Sequence, residues 1–215
     1  TPIGLLKRRI ASTYPSSIVP SLRRINLIKA KKGVSYVRRS KAIAYARRLL
    51  KRMNTTDPFE LADALNIHVM MRNDFKSQKG AFKVILGQMF IFINSNLSEE
   101  LQRIICAHEI GHALMHKHLA VNDAVLMEFE LFNITSEYEY DANVFAACIL
   151  LDEDEIIELA QQGYDVIQIS RQLGTNVNLL LVKINEMNNE GMNYRMPYQP
   201  DCCFLCAIND DAGEL

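Results

Sequence analysis

At 215 residues, 49% of them hydrophobic, the chain is long enough for one globular domain with a proper core. Its formal net charge of −1 conceals an uneven distribution: no acid precedes Asp57, Lys7 to Arg52 hold 15 of the 24 bases, and the rest carries all 25 acids for a net charge of about −16. No run of about 18 apolar residues exists, which excludes a membrane-spanning helix, and an odd five cysteines, three of them near the end, argue against a secreted disulfide framework.

Residues 1–39 are basic, rich in Ser and Pro, and without a sustained helical stripe, so they read as a flexible arm. The arm lacks the apolar run of a secretory signal, and a reducing cytoplasm is the expected compartment. Its arginines suit nucleic acid phosphates, but nothing in it names a groove-reading element, and the acidic remainder opposes such contact. Ser40 is an N-cap for a helix over Lys41 to Met53, with Ala42, Ala46, Leu49, Leu50 and Met53 on its apolar face. Asp57, Pro58 and Glu60 then open a short helix through Leu65. Beyond it the period changes from helix to strand. Ile67 to Arg72, Ala81 to Leu86 and Met89 to Asn94 read as strands of a small antiparallel sheet, the last two joined by a hairpin at Gly87-Gln88. The order, two helices, a sheet, then helices, is α+β.

Ser98, or Asn96 with Glu99, caps the next helix, which contains His108-Glu109-Ile110-Gly111-His112. Histidines four apart lie about 40° from each other around a helix, so His108 and His112 stack on one face and can grip one ion. Such an HExxH helix holds zinc with a third protein group, and its glutamate, here Glu109, serves as the base toward a water. His118 stands where a third histidine would follow a glycine turn, but Met115 occupies the glycine's place, so the helix is expected to run on and carry His118 away. Glu139 is the preferred third ligand. It opens Glu139-Tyr140-Asp141-Ala142-Asn143 on a helix capped by Thr135 or Ser136 and running to Leu150, with Asn143 one turn on and able to orient a ligating group. Tyr138, Tyr140 and His116 are candidate donors to a developing oxyanion. His116 is also a candidate to support a ligand, and His68 reads as structural. Residues 119–135, acidic and apolar by turns, carry no clear secondary-structure signal.

Lys79-Gly80, the strand ending in Phe90-Ile91-Phe92-Ile93-Asn94, Ser98-Glu99-Glu100, the HExxH helix through His116, and Glu139 to Ala147 together resemble the ImmA/IrrE family of zinc metallopeptidases. The likeness runs from about Ser40 to Met187. It implies a site of two histidines and a glutamate on zinc, in a bacterial or phage-derived cytoplasmic protein that cuts helix-turn-helix transcriptional repressors and so releases stress-response or mobile-element genes. His108, His112 and Glu139 would be the ligands and Glu109 the base. Where the family commonly has Leu-Met-Pro after the Phe-Ala-Ala helix, this chain has Leu150-Leu151-Asp152, a departure that bears on substrate choice rather than on the metal.

Further helices are expected over Asp152 to Gln162, Asp165 to Leu173 and Val177 to Met187, closed by Gly163 and Gly174 and opened by Asn176. The last two have a helix-turn-helix outline, but the apolar run Leu179 to Val182 favours packing or docking over reading DNA. The tail contains Cys202, Cys203 and Cys206, too few for a four-sulfur metal site without a second pair. The expected organisation is an arm (1–39), a metallopeptidase core (40–151), a helical subdomain (152–190) and an irregular tail (191–215). The expected function is zinc-dependent cleavage of a helix-turn-helix repressor. The alternative is a non-catalytic regulator that docks to a repressor or to DNA.

Overall fold

A computed structural model describes residues 41–119, 136–196 and 200, and among them it shows seven α-helices and one three-stranded sheet. The fold is α+β, as expected. The arm with Ser40, most of the segment before Ser136, and the cysteines of the tail lie outside the described residues.

Helix α1 spans Lys41–Met53 and buries Ala42, Ile43, Ala46 and Leu49, an apolar face at helical spacing. Helix α2, Pro58–Ala64, starts where the sequence signals it: Asp57 accepts from the backbone N–H of Phe59 and Glu60, and Pro58 takes the first turn. Arg103 donates to the other oxygen of Asp57 at 2.7 Å, tying this cap to the central helix. Burial alone would raise the Asp57 carboxyl, but Arg103 and the capped amides hold it below its ordinary value.

Strands β1 (Ile67–Arg72), β2 (Gly80–Ile85) and β3 (Gln88–Asn94) form a sheet in the order β1-β3-β2. The sheet is mixed rather than wholly antiparallel, because β1 pairs with β3 in parallel while β2 pairs with β3 antiparallel. The reason lies in β3: Ile91 and Ile93 are fully buried, so the most apolar strand takes the centre and the other two become its edges. The hairpin turn is also one residue earlier than expected. Ile85 pairs with Gln88, leaving Leu86 and Gly87 as the turn, both at positive φ, which matches the right-handed twist of the flanking strands.

Helix α3, Glu99–Met115, is capped by Ser98, which accepts from the N–H of Leu101. From Ile104 to Ala113 every residue of it is buried. It is thus enclosed on all sides, with α2 and the sheet against part of it and helix α4, Ser136–Leu150, against the rest. It ends at Met115, sooner than expected. His116 caps it with φ −123°, an ordinary conformation that needs no glycine, and a short 3-10 turn follows over Lys117–Leu119. Helices α5 (Glu153–Gln161), α6 (Val166–Leu173) and α7 (Val177–Asn189) complete the described chain, opened by Asp152, Asp165 and Asn176 as N-caps. Gly174, in the left-handed region, closes α6. Helix α7 buries Leu179 to Ile184, Glu186 and Met187, so it is a core element and not a groove-reading helix.

Candidate metal centre

Helix α3 carries three polar side chains in its most enclosed stretch, and burial of a polar group demands a partner. His108, Glu109 and His112 are all buried. Nε2 of His108 faces Nε2 of His112 at 3.0 Å, because four residues bring two rings onto one side of the helix. From α4 the Glu139 carboxylate meets both, Oε2 at 3.3 Å from His108 Nε2 and Oε1 at 3.4 Å from His112 Nε2. Among the described residues this is the one group of three or more His, Cys, Asp or Glu side chains gathered so that a ligand atom from each lies within 4.8 Å of the others.

These separations suit a metal ion. Tetrahedral bonds of about 2.0–2.1 Å place neighbouring ligand atoms about 3.3–3.4 Å apart. Two imidazoles and one carboxylate, with no thiolate, could hold an ion as the three-ligand sets of catalytic rather than structural sites do. Electrostatics point the same way. Burial would raise the Glu139 carboxyl, yet its hydrogen bonds with His108 and His112 hold it well below the usual carboxylate range. Burial would lower His108, yet Glu139 and Glu109 beside it raise it. A buried pocket that draws positive charge onto an imidazole also draws a cation.

The rings are held from behind. Asn143, fully buried, places Oδ1 2.9 Å from Nδ1 of His108. Nδ1 of His112 lies 3.0 Å from Nδ1 of His116, whose ring packs edge-on against that of Tyr138 at 4.9 Å between centroids. His116 is buried, and burial with the neighbouring histidines lowers its pKa to about 4, so it is neutral near pH 7. His118 is exposed in the 3-10 turn, outside the group. His68 lies exposed on β1 against Phe90.

Glu109 points elsewhere, toward strand β2. Its Oε1 lies 3.3 Å from the place where a Cβ on Gly80 would stand, and the backbone N–H of Phe82 donates to its carboxylate. Burial raises this carboxyl above its ordinary value, against the pull of His108 and His112. Tyr140, one of the three sequence candidates for an oxyanion donor, is engaged away from the site. Its hydroxyl donates to Glu186 Oε1 at 2.7 Å and accepts from Asn185 Nδ2 at 2.6 Å. Tyr138 and His116 remain beside the histidines.

Two residues matter to this arrangement that sequence reasoning passed over. A Cβ on Gly111 would stand 3.2 Å from Ala142 Cα and 3.3 Å from Phe145, so the bare glycine is what lets α3 and α4 approach. A Cβ on Gly80 would stand 2.3 Å from Ile105 Cγ2, which sets the distance between β2 and α3. For Gly111 the signal available in sequence was a glycine inside a helix, where it costs about 1 kcal/mol against alanine and so invites a packing reason.

Residues 62–185 match the family described as IrrE N-terminal-like domain, a peptidase family. The chain is 32% identical over 143 residues to immunity region protein 2 of Bacillus phage phi105, spanning 66% of this chain and 89% of that one. It is 28% identical over 130 residues to metallopeptidase ImmA of Bacillus subtilis (strain 168), spanning 57% of this chain and 71% of that one. A solved structure of a Mycobacterium tuberculosis transcriptional regulator matches 74% of this chain and 48% of its own length, at 15% identity and a TM-score of 0.48.

Proposed function

The chain belongs to the IrrE N-terminal-like domain family of metallopeptidases, and from that premise we propose that it is a zinc endopeptidase with His108, His112 and Glu139 as metal ligands and Glu109 as general base. The observation that carries this reading is the convergence of two imidazole nitrogens and one carboxylate within 3.4 Å of each other in a buried pocket, with a second carboxylate next in sequence on the same helix.

Held by His108, His112 and Glu139, zinc would supply Lewis acidity toward the scissile carbonyl and toward the attacking water. Glu109 takes the proton of the attacking water at its carboxylate and delivers it to the leaving amine nitrogen. Its burial raises its basicity toward that task. Asn143 accepts the Nδ1 hydrogen of His108, which leaves Nε2 of that ring free to ligate. Of the sequence candidates for an oxyanion donor, Tyr138 is the one this reading keeps, since Tyr140 turns to Glu186 and His116 stands behind His112.

The substrate in this reading is a helix-turn-helix repressor of a mobile element or a stress response, cut at one or a few peptide bonds in the cytoplasm. The immunity-region relative supports it. Glu109→Gln tests the chemistry: zinc content by elemental analysis stays at wild type, while cleavage of a co-expressed repressor encoded beside the gene falls about 10²–10⁴-fold. A variant that cuts at the wild-type rate removes Glu109 from its role. Wild type that binds no zinc when zinc is supplied overturns the reading as a whole.

A further inference from the structure

His116 is the third member of a row. His108, His112 and His116 recur every four residues, so their rings follow one another along one side of α3 and its cap. Ring centroids are 4.7 Å apart in the first pair and 5.2 Å in the second. The facing nitrogens alternate in kind. His112 turns Nε2 toward His108 and Glu139, and turns Nδ1 toward Nδ1 of His116 at 3.0 Å.

A neutral imidazole carries one ring hydrogen, and which nitrogen bears it decides which can ligate. Nε2 of His112 offers a lone pair only if the hydrogen sits on Nδ1. In a buried site that N–H needs an acceptor, and the group at 3.0 Å is Nδ1 of His116. His116 must then hold its own hydrogen on Nε2. The reverse arrangement, with His116 donating, would force the His112 hydrogen onto Nε2, between His108 and Glu139, and remove it from the ligand set. His116 is 5% exposed and its ring is braced by Tyr138, so it is placed to act as a fixed acceptor. Asn143 stands in the same relation to His108.

We propose that His116 is the positioning residue of His112: its Nδ1 accepts the His112 Nδ1 hydrogen and thereby keeps Nε2 of His112 bare and aimed at the metal. This rests on the metal centre proposed above.

The experiment uses the full chain and zinc ion alone. Zinc dissociation constants are measured by chelator competition for wild type, His116→Leu, His116→Asn and His108→Ala, with circular dichroism of each metal-free protein. His116→Leu is expected to bind zinc about 10–100-fold more weakly, and His116→Asn, whose Oδ1 stands at the position of Nδ1 and can accept the same hydrogen, to recover most of the loss. Wild-type affinity in His116→Leu beside lost binding in His108→Ala overturns the positioning role and leaves the metal centre standing. Unchanged binding in both overturns the metal centre itself. Asparagine no better than leucine, in a folded protein, also overturns the role. Imidazole nitrogen shifts of zinc-loaded wild type need no variant to fold: they are expected to show hydrogen on Nδ1 of His112 and Nε2 of His116, and any other pair of tautomers overturns the assignment.

Discussion

Gly80 shows how one missing methyl group governs the site. A Cβ there would collide with Ile105 Cγ2 at 2.3 Å and press on Phe92 O at 3.2 Å and Glu109 Oε1 at 3.3 Å. Ile105 is itself 2% exposed, so it has nowhere to retreat. Gly80→Ala is therefore expected to destabilise by about 1–3 kcal/mol through overpacking, read as a fall in Tm of about 2–4 °C for each kcal/mol in a chain of this size. An unchanged melting curve would show that β2 shifts freely against α3. His108, Glu109 and His112 were legible at this scale because one helix holds them and its period fixes their faces. The two glycines were not, since sequence does not say which surface a glycine brings close.

The junction of α3 and α4 joins the two halves of the candidate centre. Gly111 lies against Ala142 and Phe145 on α4; Asn143 falls between those two residues and Glu139 about one turn before them. A larger side chain at Gly111 would move the carboxylate from the histidines. Gly111→Val is expected to cost about 1–3 kcal/mol by overpacking and to weaken zinc binding in the same chelator assay. Wild-type zinc affinity in this variant would show that the helix spacing does not set the site. Element ends followed local signals closely where a cap was present. Asp57, Asp152, Asp165 and Asn176 each accept from backbone N–H groups two or three residues on, interactions complete within one turn. Strand pairing was less legible: the parallel place of β1 beside β3 depends on which strand best fills the core, and the end of α3 came without a glycine.

Charges outside the site tie the molecule together. Lys183 on α7 is 4% exposed at its side chain and donates to Glu153 at 2.9 Å, while Arg47 on α1 reaches Glu153 at 3.5 Å and Glu190 at 2.8 Å. Burial would raise the Glu153 carboxyl, but Lys183 and Arg47 hold it below its ordinary value. The Arg47 contacts are half-exposed and contribute at most about 1 kcal/mol. The buried ammonium of Lys183 is different. Glu153→Ala is expected to cost about 2–3 kcal/mol in denaturant unfolding by leaving that charge without its partner. Adding Lys183→Met to the same chain should restore much of the loss, and failure of that rescue would show that the partnership matters little.

Sequence by itself determined what depends on near neighbours: the α+β order, most helix bounds, and the stacking of His108 with His112 one turn apart. It also marked Glu139 and Asn143 as one turn of a second helix. Tertiary structure alone decided that the two helices meet where Gly111 has no side chain, that Glu139 reaches both imidazoles, and that Tyr140 turns to Glu186. The physical reason is range. Helical period and capping are settled within about four residues, whereas the approach of distant segments follows from the fit of whole surfaces, to which each residue adds only its own volume.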